Sequence, residues 1–200
     1  MNRSDSDEIL AQQVINGNLT AFEELVTRYQ KPIFKLAYRM VGQKEEAEDL
    51  TQEVFIHLYQ KITHFNPEKK FKPWLYRVAV NTCISRLRRK RKVIFLGFDD
   101  ALAGSVDLDN VPAVSPEKNV EIQELQRELF QAVLEMPENY RAMIVLRYQL
   151  DLTNSEIAET LGITRENVEV RMHRAHKNLR RILLGRLAEG RFEYEVQAGR

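Results

Sequence analysis

The sequence predicts an all-α protein: two small helical domains joined by a flexible acidic linker, the C-terminal one a helix-turn-helix domain. Three observations carry this. Apolar residues recur every three or four positions through both ends of the chain, and no stretch alternates as a strand does. Between those ends, residues 93–119 lose the helical period and hold Gly97, Gly104, Pro112 and Pro116. Near the C-terminus, LTNSEIAETLGITRENVEVRMHRAHKNL breaks a short apolar helix at Gly162 and restarts it at Thr164.

In chain order, helices are expected near 5–16, 20–41, 44–62 and 71–91. Asn66-Pro67 separates the last two, and Pro32 is placed to kink the second. Beyond the linker the periodicity predicts helices near 118–135, 138–149, 154–161 and 165–184, with fraying after Gly185. The expected division is therefore 1–92, a linker at 93–119, 120–184, and a tail at 185–200. At the corner, Ile157, Ala158 and Leu161 share one helical face, Gly162 can take the left-handed conformation, and Thr164 can cap the second helix of the motif. On that helix Val168, Met172, Ala175 and Leu179 form an apolar stripe. Glu166, Glu169, Val170, His173, Arg174 and Lys177 project from the other side, a face that suits a DNA major groove. An ordinary helical hairpin with a solvated charged face shows the same pattern.

Composition sets limits. Hydrophobic residues make up 44% and charged residues 30%, as in a soluble globular protein. The start, MNRSDSDEIL, has acidic and polar residues where a secretory signal needs a basic start and an apolar run, and no stretch approaches membrane-spanning length. A cytoplasmic location is expected. Cys83 is the only cysteine, so it can form no internal disulfide and no cysteine-cluster zinc site; packing is its expected role. A net charge of +1 argues at first against nucleic acid, because Lys and Arg supply most non-specific affinity. The charge is segregated, however. RLRRKRK at 86–92 is basic except for Leu87, whereas the linker holds Asp99, Asp100, Asp107, Asp109 and Glu117 against Lys118.

Two further faces carry chemistry. In EEAEDLTQEVFIHLYQKI, Ala47, Leu50, Val54 and Leu58 form the inner side, while Glu45, Asp49, Gln52 and Ile56 line up opposite. An acidic face with an isoleucine in its middle suits a protein interface, and equally a solvated face with one stray Ile. In FKPWLYRVAVNTCISRLRRKRK, Leu75, Val78, Ala79 and Thr82 face one way and Trp74, Arg77, Asn81, Ser85 and Arg88 another. A ring to stack on an unpaired base, guanidinium groups for phosphates and an amide for a base edge are equipment for single-stranded nucleic acid. The alternative is that Trp74 plugs the core. HFNPEKKF ahead of it forms a loop long enough to surround a base drawn from the stack.

Catalytic constellations are absent from the sequence. His173 and His176 point to different faces and lack a carboxylate at metal-site spacing, and there is no Gly-rich phosphate loop and no nucleophile motif.

In order, AEDLTQEVF, FKPWLYRVAVN with its basic extension, the acidic linker, LEMPENYRAMIVLRY and a helix-turn-helix with VRMHRA resemble an extracytoplasmic-function sigma factor of bacterial RNA polymerase, over residues 8–184. The resemblance implies a binding protein without catalytic residues, metal or cofactor. Such a protein recruits core polymerase to promoters, reads the minus-35 element with its C-terminal domain, and melts and reads the minus-10 element with its N-terminal one. It implies that Asp49, Gln52 and Glu53 contact the clamp helices of the large polymerase subunit, beside Ile56 on the same face. Phe65, Glu68, Lys69 and Lys70 match the loop that captures a flipped base, and Trp74, Arg77, Asn81 and Arg88 the melting and minus-10 helix. Glu169, Val170, His173 and Arg174 match the upstream readers, with Arg165 beside them; Lys177 is expected on phosphate, and Arg171, nearer the buried stripe, as an anchor through an ion pair or a phosphate. Family members commonly carry a small or basic residue where Glu169 and Val170 stand and often an Asp where Ser85 stands, so the upstream preference is left open. The resemblance also implies a partner anti-sigma factor, often membrane-bound.

Two rivals differ in kind. A conventional helix-turn-helix regulator explains the C-terminal half but has no use for a single-strand stripe at 74–92, and a helical metal-dependent hydrolase requires bound metal and turnover. Two promoter elements about two duplex turns apart lie roughly 70 Å from one another. A linker of this length extends to roughly 90 Å but averages about 30 Å as a free coil, so a compact free chain is compatible with the sequence.

Overall fold

The computed structural model describes residues 5–95 and 119–188, and every regular element among them is helical. The N-terminal unit comprises α1 (Asp7–Ile15), α2 (Leu19–Val41), α3 (Lys44–Lys61) and α4 (Phe71–Phe95), with a 3-10 turn at Ile62–His64. Ser6 and Asn18 start α1 and α2 by accepting the amides of Ile9 and Ala21. Pro32 sits inside α2, which continues through it to Val41. Helices α1, α3 and α4 pack on α2, and Leu25, Ile33, Leu36, Met40, Leu50, Leu58 and Leu75 are fully enclosed between them. Burial of each such side chain stabilises by roughly 1.5–3 kcal/mol. Cys83 lies in this core, where burial pushes its thiol up to about 12; it is packing, as expected from sequence.

The C-terminal unit comprises α5 (Asn119–Leu134), α6 (Glu138–Ile144), α7 (Asn154–Leu161) and α8 (Arg165–Ala188). The helix expected at 138–149 is present, but its last part, Val145–Gln149, widens into a π turn. At the corner, Thr153 and Glu156 form a reciprocal capping box at the start of α7. Gly162 ends α7 at φ 65°, ψ 38°, and the Thr164 hydroxyl accepts the Asn167 amide at 3.3 Å. Val168, Met172 and Ala175 are buried beneath α8. Fraying from Gly185 is not found over 185–188. Helix α8 runs on to Ala188 because Arg186 is held in an ion pair with Glu128 at 2.6 Å and in another with Glu135, both beside it on the α5 side. The acidic linker and the rest of the tail lie outside the described residues.

The two units pack against each other, α4 on α6 and α7, and α2 on α5 and α6. Phe130 of α5 stacks on Tyr38 at 5.4 Å between ring centres, and the Arg39 guanidinium lies 4.6 Å over its face. Arg141 of α6 is buried and donates to the carbonyls of Met40 on α2, Leu134 on α5, and Met136, the last at 3.1 Å. Burial pushes that guanidinium down to about 10, so it is still charged at neutral pH. Gly42 closes α2 at φ 84° against Leu134. Gly42→Ala is expected to cost about 1–2 kcal/mol through the left-handed backbone, since its methyl would also stand 2.6 Å from a Leu134 methyl carbon unless that side chain turns away. A urea melt checks this, and an unshifted midpoint would contradict it.

Candidate nucleic-acid and polymerase interfaces

Three surfaces arise from how the helices are turned. On α3 the inner residues Ala47, Leu50, Val54 and Leu58 are buried, so Glu45, Asp49, Gln52 and Ile56 face solvent, Ile56 at 57% exposure. Glu53 does not join them. One residue on from Gln52 turns it about 100° around the helix, and its carboxylate pairs with Arg86 of α4 at 2.9 Å. Asp49, Gln52 and Ile56 thus share the exposed face, with Glu53 beside it and paired to α4.

Helix α4 lies beside α3, and between them runs a groove of about 440 Å³ whose walls include Trp74, Arg77, Asn81 and Ser85, the stripe expected from sequence. His57 and Arg89 also line it. Arg88 does not; it turns to α6 and pairs with Glu138 at 3.1 Å, and Arg89 takes the place expected for it. Burial would raise the Glu138 carboxyl, but the backbone amide at the start of α6 and the Arg88 and Arg91 guanidinium groups together lower it. Trp74 is half-buried, 5.3 Å from Phe65 and 6.0 Å from Phe71 between ring centres, so it serves the core on one side and the groove on the other. Asn81 is exposed and Ser85 likewise.

The loop before α4 encloses a second hollow of about 500 Å³ that shares His64, Trp74 and Arg77 with the groove. Glu68, Lys69 and Lys70 form its exposed rim. Phe65 also lines this hollow, though it is only 4% exposed and edge-on to Phe71 at 5.5 Å, because its apolar ring completes the core beneath the loop. It acts as floor rather than as a free hand for a base. Glu159 of α7 closes the opposite wall. Arg77 reaches that helix, donating from Nε to the Thr160 carbonyl at 3.1 Å and from Nη2 to the Glu159 carbonyl. These are carbonyls at the C-terminal end of α7, where a cation satisfies free acceptors and the helix dipole alike.

On α8 the residues Arg165, Glu169, Val170, Arg171, His173, Arg174 and Lys177 are all exposed on one broad face, Val170 at 49%. Arg171 makes no ion pair with a described residue, so it is not an anchor within the protein. His176, also exposed and seven residues on from Glu169, meets the Tyr148 hydroxyl at 2.8 Å. Among the described residues no group of His, Cys, Asp and Glu is placed to hold a metal ion, and no helix is long and apolar enough to cross a membrane. Sequence reasoning missed Arg141, Glu138 and His57. A signal for Arg141 existed, since it is a lone cation ahead of the apolar run AMIVL.

Comparison with known proteins gives two family matches: Sigma-70 region 2 over residues 25–93 and Sigma-70 region 4 over residues 126–179. The chain is 39% identical over 177 residues to the ECF RNA polymerase sigma factor SigW of Bacillus subtilis, covering 86% of this chain and 94% of that one. It is 33% identical over 176 residues to the ECF RNA polymerase sigma-E factor of Haemophilus influenzae, covering 86% and 92%. In fold it is similar to CnrH, solved in complex with the cytosolic domain of CnrY, with a TM-score of 0.63, 23% identity and coverage of 90% and 99%. It is likewise similar to the sigma factor RpoE solved with the anti-sigma factor NepR from Bartonella quintana, at TM-score 0.61, 18% identity and coverage of 81% and 96%.

Proposed function

The chain belongs to the extracytoplasmic-function sigma factors of bacterial RNA polymerase, and from that membership we propose the division of labour among its surfaces. It is a transcription initiation factor that joins core polymerase in the cytoplasm and directs it to particular promoters. One observation supports the residue-level reading: the chain bears two surfaces of different chemistry. The aromatic and amide groove on α4 fits unpaired bases, and the cationic outer face of α8 fits a major groove. A duplex-binding regulator needs only the second.

Asp49, Gln52 and Ile56 bind the polymerase clamp, the region at 1–92 opens and reads the minus-10 element, and the region at 120–184 reads the minus-35 element. In the downstream set Trp74, Asn81, Lys69 and Lys70 contact the melted strand, Glu68 shapes the rim, and Arg77 joins once α7 releases it. Upstream, Arg174, His173, Glu169 and Val170 meet base edges, while Arg165, Arg171 and Lys177 meet phosphates. An anti-sigma factor, as bound to RpoE in its complex, holds the chain from polymerase until a signal arrives.

The test is a pull-down of core polymerase and then run-off transcription. Asp49→Ala with Gln52→Ala is expected to weaken the polymerase complex about tenfold while shifting folding stability by no more than about 0.5 kcal/mol, as exposed changes do. If the protein fails to bind core enzyme but footprints an operator tightly by itself, the reading is wrong.

A further inference from the structure

Glu169 stands out on the α8 face, because an acid among cations approaching phosphate is repelled unless something directs it. Its surroundings supply that direction. Asn154, the first residue of α7, donates from Nδ2 to Glu169 Oε1 at 3.5 Å. The amide cannot be turned the other way. Its Oδ1 accepts from Arg147 Nη2, and Arg147 is itself fixed by donating from Nη1 to the Leu152 carbonyl at 2.8 Å. The guanidinium has no acceptor, so it claims the carbonyl end of the amide and leaves only the NH₂ end to face α8. The residue before it, Thr153, is held by the capping box with Glu156, so the backbone under Asn154 is set as well.

We propose that Arg147 and Asn154 are positioning residues for promoter choice: they hold one oxygen of Glu169 and thereby aim the other at a base. This rests on the reading of α8 as the upstream reader. A carboxylate oxygen accepts only, and the exocyclic donors in the major groove are the amino groups of cytosine and adenine. Guanine and thymine present acceptors at that place and are refused. Glu169 therefore selects an amino-bearing base, cytosine above all, at one upstream position, and its preference depends on a side chain in the preceding helix. A carboxylate released from Asn154 swings among rotamers and discriminates less.

Asn154→Asp isolates this link. It is near-isosteric, still accepts from Arg147, and places an acid in the first turn of a helix, where it is welcome. It cannot donate to Glu169. The experiment transcribes a library of promoters randomised upstream, using holoenzyme made with wild type, Asn154→Asp, Glu169→Ala, their double variant and Arg174→Ala. Asn154→Asp is expected to flatten the preference at one base pair by about tenfold, to match Glu169→Ala there, and to add nothing in the double variant. Its melting temperature should equal that of wild type. An undiminished preference in Asn154→Asp, or a loss spread evenly over all sequences, overturns the proposal. Arg174→Ala separates the two levels: if it alters its own base pair while Asn154→Asp alters none, only the positioning idea falls. If none of the variants changes upstream preference, α8 is not the reader and both fall.

Discussion

Replacing Arg141 by Met is expected to cost about 3 kcal/mol of folding stability, because it strips three carbonyl groups of a charged donor while filling nearly the same space. Those carbonyls belong to Met40, Leu134 and Met136, at the ends of α2 and α5 and just beyond. A buried helix end has unpaired acceptors, and a forked guanidinium serves several at once. Part of the loss is offset, since burying the cation is itself costly, as its pKa lowered to about 10 indicates. Arg141→Lys should recover little, because an ammonium on a flexible stem cannot span the same set. Urea unfolding of the three proteins decides the matter; a variant within about 0.5 kcal/mol of wild type would mean that water replaces the guanidinium.

On a closed promoter, Asn81→Ala is expected to lower open-complex formation roughly tenfold, while a template carrying a pre-melted bubble is transcribed almost normally. The bubble supplies the opening energy that contacts in the α4 groove otherwise provide, and contacts to an unstacked base are worth about 1–3 kcal/mol each. Asn81 is the cleaner probe because it is exposed. Trp74→Ala should show the same template dependence together with a lower melting temperature, since its ring also packs on Phe65 and Phe71. Equal damage on both templates would assign these residues to the fold alone.

What was legible in the sequence was local. The corner was set by Gly162 and Thr164, each acting on neighbours within a few residues, and the apolar period placed Leu50, Leu75 and Val168 inward. The free faces of α3 and α8 came from the same period. Periodicity gives the face a residue occupies but not what covers it. Arg88 lies exposed, as its stripe implies, yet it also pairs with Glu138, and Glu53, placed by the resemblance, pairs with Arg86; neither partner is close in sequence. Phe65 looked free because it sits in a polar loop, and only the loop's fold brings it onto Phe71. The π turn at Val145–Gln149 has no signature among its residues that we can identify. Packing between the two units lay beyond any local rule, since its contacts join residues as far apart as Met40 and Arg141.

The Arg77 clasp on α7 makes the two halves rivals for one cation. While the guanidinium satisfies the Glu159 and Thr160 carbonyls, a phosphate cannot have it. If the chain exchanges between this clasped form and an unclasped one, only the latter would offer Arg77 to a phosphate. Any contact that requires a free Arg77 would then be weakened in proportion to the fraction unclasped. Linkage is reciprocal: if Arg77 takes part in binding a melted strand, whatever draws α7 away from α4 would raise that affinity, and strand binding would in turn favour separation. Before release, the N-terminal groove would therefore meet a melted strand without its nearest guanidinium.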